Sequence, residues 1–136
     1  LDGQIIFHQH KLRLNKKIMK SEQNIKKLLT KTLNILEELK ALNIKTIDTK
    51  DRTSIADFII VADGTSSRHV NSMANNLSKK LKKHILSVEG LPKADWALID
   101  FGDIILHIFK PEIRQIYNLE KIWSSSAPID KQKFGS

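Results

Sequence analysis

The sequence predicts an α/β domain built on a single mixed β-sheet of about five strands with helices packed on it. Three observations predict it. Residues 57–63 (DFIIVAD) form a near-continuous apolar run rich in β-branched side chains, the composition of a central strand covered on both faces. Two stretches on either side of that run carry apolar residues at intervals of three and four, the period of a helix with one buried face. The second of them lies between the central strand and a run of shorter strands, so one strand-helix-strand crossover is set among hairpins, and the sheet must mix parallel and antiparallel pairs. A length of 136 residues, 40% hydrophobic and 28% charged, suits one compact domain with a real core.

Taken in order, residues 1–18 hold one acid, Asp2, against Lys11, Arg13, Lys16 and Lys17, and Met19 stands as a candidate natural start. Residues 1–20 read as a basic leader, disordered or not native; they are too poor in Arg for a mitochondrial transit peptide and lack the apolar block of a secretory signal. Ser21 is placed to cap a helix with Glu22 in its first turn and Ile25, Leu28, Leu29, Thr32, Leu36 and Leu39 on its apolar face. Residues 44–47 turn extended, an edge strand that offers a route to a homodimer across a two-fold axis, and 48–54 are a polar turn region. Gly64 ends the central strand. Thr65 or Ser66 then caps a second helix with Val70, Met73, Ala74, Leu77 and Leu81, closing with Lys79, Lys80, Lys82 and Lys83 at the negative end of its dipole. Residues 86–89 give a short strand stopped by Gly90 and Pro92. Residues 96–100 and 104–109 are two strands joined at Phe101-Gly102, where glycine supplies the positive φ of a tight hairpin. Pro111 opens a short helix carrying Glu112, Ile113, Ile116 and Tyr117. The folded domain is expected at 21–123, followed by a flexible tail at 124–136.

Composition narrows the chemistry. There is no cysteine, which excludes a disulfide scaffold, a thiolate metal site and a cysteine nucleophile together. No apolar run approaches the roughly 20 residues that cross a bilayer, so no membrane partner is expected. Twenty-three Lys and Arg against 15 Asp and Glu give a formal net charge of +8, which favours anionic surroundings. The charge is uneven: residues 1–40 sum to +5, whereas residues 84–123, with Glu89, Asp95, Asp100, Asp103, Glu112 and Glu120 against four cations, sum to −2. Asp100-Phe101-Gly102 matches the magnesium-holding tripeptide of protein kinases, but no Gly-rich loop or His-Arg-Asp accompanies it. Gly64-Thr65-Ser66-Ser67 between a strand and a helix, with Asp100 and Asp103 on a later hairpin, is reminiscent of a nucleotidyltransferase plan. The two aspartates flank a turn instead of sharing a strand face, so backbone capping explains them more simply. No metal, cofactor or catalytic set is expected.

The residues themselves resemble one family. Ala56-Asp57-Phe58-Ile59-Ile60, Gly64-Thr65-Ser66-Ser67-Arg68-His69-Val70, Glu89-Gly90, Trp96-Ala97-Leu98-Ile99-Asp100-Phe101-Gly102-Asp103, His107-Ile108-Phe109, and Arg114 with Tyr117-Asn118-Leu119-Glu120 and Trp123 are similar, in that order, to blocks of the Iojap-like ribosomal silencing factors. Phe58 and Phe101 stand where tyrosine is common. The resemblance implies a non-enzymatic protein with a nucleotidyltransferase-like fold lacking the active site. It also implies binding to the large ribosomal subunit through ribosomal protein fourteen, which blocks subunit association and represses translation under nutrient limitation. The acidic segment then offers opposite potential to a basic ribosomal protein, and the positive remainder tolerates proximity to rRNA.

Within that reading the expected partner-binding residues are Trp96, Leu98, Asp100, Phe101, Asp103, His107, Arg114 and Tyr117. Trp96, Leu98 and Asp100 share one face of their strand, His107 lies on the next strand, and Arg114 and Tyr117 share a helix face, Arg114 being able to pair with Glu120 or to reach a partner. The Lys, Ile and Asn bias points to a bacterial cytoplasm before an organelle. Two other readings stand beside it: an RNA-binding module in ribosome assembly, using Lys79, Lys80, Lys82, Lys83 and the leader, and a divergent nucleotidyltransferase.

Overall fold

A computed structural model describes residues 2–51, 55–90 and 95–117, and of residues 2–10, 18, 116 and 117 it describes the backbone. The chain divides into two units, Leu1–Thr32 and Leu33–Ser136. The first consists of helix α1 (Asp2–Glu38) up to Thr32. The helix expected to start at Ser21 therefore starts at Asp2. No glycine or proline occurs from Gln4 to Ala41, and the apolar spacing of Ile25 and Leu28 extends backward to Ile18 and Leu14, so nothing in the chain breaks the helix at Ser21 and no cap forms there.

The end of α1 belongs to the second unit and is built as a Schellman turn. Lys40 takes φ 63°, its N–H donates to the Glu37 carbonyl at 3.0 Å, and the Ala41 N–H donates to the Leu36 carbonyl at 2.9 Å. β1 (Leu42–Asp48) follows, then β2 (Phe58–Asp63), helix α2 (Ser67–Lys80), a 3₁₀ turn over Lys82–His84, β3 (Ser87–Glu89), β4 (Trp96–Asp100), β5 (Ile104–Phe109) and helix α3 (Pro111–Tyr117). The five strands form one sheet in the order β1-β2-β5-β4-β3, with β2 and β5 parallel and every other pair antiparallel. This is the single mixed five-stranded sheet that the sequence predicts. Every residue of β2 is buried, as expected of a strand with neighbours on both sides and layers on both faces.

Alternation divides the sheet into two faces. One carries Ile60, Ala62, Ile104, Leu106, Ile108, Ala97 and Ile99, all but fully buried, and α2 supplies Val70, Met73, Ala74 and Leu77 to the same core. Ser66 is the cap of α2, its Oγ accepting the His69 N–H at 3.1 Å. The His69 ring ties that corner to the end of α1: the Thr65 N–H donates to Nδ1 at 2.9 Å, and Nε2–H donates to the Leu39 carbonyl at 2.8 Å. The opposite face carries a smaller core of Ile47, Ile59, Val61 and Phe109, against which Trp96 and Ile113 of α3 pack. The β4–β5 hairpin closes as expected, with Gly102 at φ 93° and its N–H donating to Asp100 Oδ1 at 2.7 Å. The Phe101 N–H donates to the Ile104 carbonyl at 2.9 Å.

Candidate functional site

The sheet face that α2 does not cover is where Trp96, Leu98, Asp100 and His107, singled out from the sequence, meet. The cross-strand register sets out its rows. Trp96 stands opposite Phe109, which stands opposite Asp63; Glu89, Leu98, His107 and Val61 form the next row; Ser87, Asp100, Ile105 and Ile59 form the third. α3 lies over the Phe109 and Val61 end through Ile113. Toward β3 the face stays open: Trp96, Leu98, Asp100 and Ile105 are half-buried, and Ser87, Glu89 and Asp103 are exposed. The result is a shallow platform with a tryptophan and two aliphatic side chains at its centre and three carboxylates, Glu89, Asp100 and Asp103, along its margin.

Beneath the platform lies a rigid aromatic cluster. The Trp96 Nε1–H donates to His107 Nδ1 at 3.0 Å, the His107 and Phe109 rings lie 5.7 Å apart and nearly parallel at 4°, and the Trp96 and Phe109 rings are 4.8 Å apart. That hydrogen bond needs a neutral imidazole with a free lone pair on Nδ1. Burial supplies it: loss of solvent pushes His107 down from 6.5 to about 4. The base of Trp96 is thereby fixed in orientation while its outer edge remains accessible. At the strand's start, Asp95 Oδ1 accepts the Ser67 hydroxyl at 2.9 Å and lies 3.6 Å from Lys110 Nζ, which anchors β4 to α2 and to the end of β5.

Phe101, His107 and Arg114, at 7%, 8% and 8% exposure, are buried and offer a partner little surface. Arg114 has a specific duty. Its Nη1 donates to Asp63 Oδ1 at 3.0 Å and to the Asn43 carbonyl at 2.6 Å, while Asn43 Nδ2 donates to Asp63 Oδ2 at 2.9 Å. This network, buried at Asp63 and Arg114 and reaching the surface at Asn43, joins α3, the end of β2 and the bulged start of β1, where Asn43 takes φ 50°. Glu120, the partner expected from sequence, lies outside the described residues, as does the side chain of Tyr117. Asp63 was legible as the last residue of the central strand, but its pairing with Arg114, 51 positions later, depends on the tertiary fold. Glu89 and Ser87 join the site through the β3–β4 register, which sequence alternation alone does not give.

Asp100 is occupied with the Gly102 N–H, and among the described residues no group of three His, Asp or Glu side chains is arranged to hold a metal ion. Nor is any helix among them long and apolar enough to cross a membrane.

Comparison with known proteins gives a consistent result. The profile of the family described as "Ribosomal silencing factor during starvation" matches residues 22–136. A ribosomal silencing factor RsfS of Zymomonas mobilis is 46% identical over 107 residues, which cover 76% of this chain and 80% of that protein. A crystal structure of a Chromobacterium violaceum protein matches with a TM-score of 0.68 at 36% identity, covering 78% of this chain and 88% of the other. A mouse protein named for mitochondrial assembly of the ribosomal large subunit is 31% identical over 99 residues, 68% of this chain and 43% of its own length. On the matched profile, the identity to a named silencing factor and the shared fold, this chain belongs to the family of ribosomal silencing factors, regulators of translation.

Proposed function

We propose that the chain silences ribosomes by seating the open face of its sheet on the large ribosomal subunit, through ribosomal protein fourteen, where it obstructs the small subunit and represses translation under nutrient limitation. The observation that carries this reading is the half-exposed stripe of Trp96, Leu98 and Asp100 on a face that α2 leaves uncovered. A central aromatic anchor with a charged margin is the anatomy of a protein-docking patch, since the anchor supplies affinity and the margin supplies encounter rate and register. The margin here is acidic, and ribosomal proteins that lie on rRNA are basic as a class. The name of the mouse relative, which refers to the large subunit, supports the choice of subunit.

Obstruction needs no chemistry. A total interface of roughly 1,200–2,000 Å² is within reach of one face of a domain of this size, and a stable body at the subunit boundary then excludes the other subunit by volume alone. The role is non-enzymatic, and a bacterial cytoplasm, where free subunits are found, is its setting.

Co-sedimentation with purified large subunits, with and without their protein fourteen, tests the reading. The chain is expected to pellet with complete large subunits, to lose that behaviour when protein fourteen is absent, and to lower the joined-ribosome fraction of a gradient. Trp96→Ala, Asp100→Lys and Asp103→Lys are expected to weaken all of this. Wild-type co-sedimentation by all three variants removes the proposed face, and unimpeded subunit joining at saturating protein removes the mechanism.

A further inference from the structure

The first unit carries a surface that the docking face does not use. Along α1, Arg13, Lys16, Lys17, Lys20, Lys27 and Lys31 recur at a spacing that a turn of 3.6 residues brings to one side of the helix. All six are exposed, and among the described residues none takes part in an ion pair. Leu14, Ile25 and Leu29 fall toward the opposite side, as do Lys11 and Lys26. The only acid between residues 11 and 31, Glu22, falls on that opposite side as well. Arg13 with Lys16 and Lys17, Lys20 with the same two, and Lys27 with Lys31 are like charges at intervals of three and four, each of which disfavours the helix that holds it. The helix thus keeps a row of uncompensated positive charge about 27 Å long, at a rise of about 1.5 Å per residue. Such a row is relieved by a polyanion laid along it.

The composition of the row says which polyanion. No aromatic residue occurs between positions 11 and 31, so the helix has no platform on which unpaired bases stack. The apolar side is interrupted by Ser21 and Thr32 and has no tryptophan or phenylalanine over that span, which is a poor match to a helix that beds into lipid. What remains is charge at regular intervals along a straight rod, complementary to a duplex and its closely spaced phosphates. We propose that the basic row of α1 is a binding site for the phosphate backbone of double-helical RNA, without sequence preference. Four of the six, Arg13, Lys16, Lys17 and Lys20, precede residue 22, where the silencing-factor profile begins, so most of the row lies outside the family's matched region.

The test uses the full chain and a fully paired RNA hairpin, with binding followed by fluorescence anisotropy from about 50 to about 200 mM salt. Wild-type affinity is expected to fall steeply with salt. The variant Arg13→Gln/Lys16→Gln/Lys17→Gln/Lys20→Gln keeps good helix formers, so circular dichroism should match wild type. Its log-affinity against log-salt slope is expected to be shallower by about 3 to 4, at roughly 0.9 per lost phosphate contact. Lys79→Gln/Lys80→Gln/Lys82→Gln/Lys83→Gln is expected to keep the wild-type slope. Trp96→Ala, which should lose large-subunit docking, is expected to bind the hairpin as wild type does, so failure of one site is distinguishable from failure of the other. An unchanged slope and affinity in the α1 variant overturns the proposal. So does tighter binding to unpaired RNA, loss of hairpin binding in the Lys79–Lys83 variant alone, or binding to anionic vesicles but not to the hairpin.

Discussion

At the scale of single residues, the open face rests on side chains that are themselves buried. His107 is neutral because it is buried, and neutrality leaves Nδ1 free to accept the Trp96 indole N–H. Its folded value near 4 lies below the unfolded 6.5, so between those values the unfolded chain binds more protons than the folded one and stability rises with pH. As pH falls from 6.5 to about 4, His107 should remove about 3 kcal/mol of stability, and little more below that. Urea unfolding of wild type and His107→Phe across this range checks it. The wild-type advantage at neutral pH should shrink toward the acid end; two parallel curves would show that His107 carries none of the acid sensitivity. The Asp63–Arg114 pair, with side chains 4% and 9% exposed, makes a different demand. Arg114→Met leaves a carboxylate buried with one partner fewer and should cost about 3–5 kcal/mol, whereas Asp63→Asn/Arg114→Met together should cost less than the two changes summed, which a double-mutant cycle measures. Sequence alternation placed Trp96, Leu98 and Asp100 on one face because that depends only on neighbours along the strand. It could not foresee the network of Asp63, Asn43 and Arg114, because those three meet only when β1 folds back on β2 and α3 returns to their common end.

At the scale of elements, strong local signals read correctly and signals that compete with a longer context did not. The apolar run of β2, the cap at Ser66, the alternation of β4 and β5, and Pro111 at the start of α3 each fix their element within a few residues of it. Ser21 is a capable cap residue, but a cap acts only where the preceding chain leaves the helix. Here the preceding residues carry the same periodicity and no breaker. The other end of α1 was read only as a change of pattern after Leu42, because the left-handed residue of the turn is a lysine and not the usual glycine. That choice has a cost that a substitution should recover. Lys40 is exposed, its φ of 63° crowds a Cβ, and Lys40→Gly should raise the unfolding free energy by about 1 kcal/mol without changing the hydrogen bonds of the turn. Chemical denaturation measures this, and a loss of stability would mean that the entropy of the glycine outweighs the relieved strain. Gly90 is the reverse case: at φ 93° a Cβ there would strike the Trp96 carbonyl oxygen, and the obstacle is backbone. Gly90→Ala should therefore displace the first residue of β4 and with it the anchor, destabilising the fold by more than about 2 kcal/mol.

At the scale of the whole molecule, charge and shape divide the work of docking in time. The chain is positive overall, yet its open sheet face carries Glu89, Asp100 and Asp103 around Trp96 and Leu98, so on the proposed docking mode a basic protein partner would be drawn to the face on which the aromatic anchor stands. Exposed charges act during approach, when the partners are still hydrated, and a half-buried tryptophan acts after contact, when water has left. The two kinds of substitution should thus separate in a kinetic experiment on immobilised large subunits. Asp103→Lys, at an exposed turn, should slow association several-fold, with the deficit shrinking as salt rises over a Debye length of about 8–10 Å, and should leave dissociation nearly unchanged. Trp96→Ala should associate at close to the wild-type rate and dissociate about 30-fold faster or more, the consequence of losing an anchor worth at least about 2 kcal/mol. Thermal unfolding of both variants guards against a trivial cause, since Trp96 also packs on Phe109 and truncation there will lower the melting temperature. Trp96→Phe keeps that packing and removes the indole N–H, and its dissociation should lie between wild type and Trp96→Ala. If the Asp103 effect appears in dissociation, or if the Trp96 effect vanishes when measured well below the variant's melting temperature, the acid margin and the anchor do not belong to one docking surface.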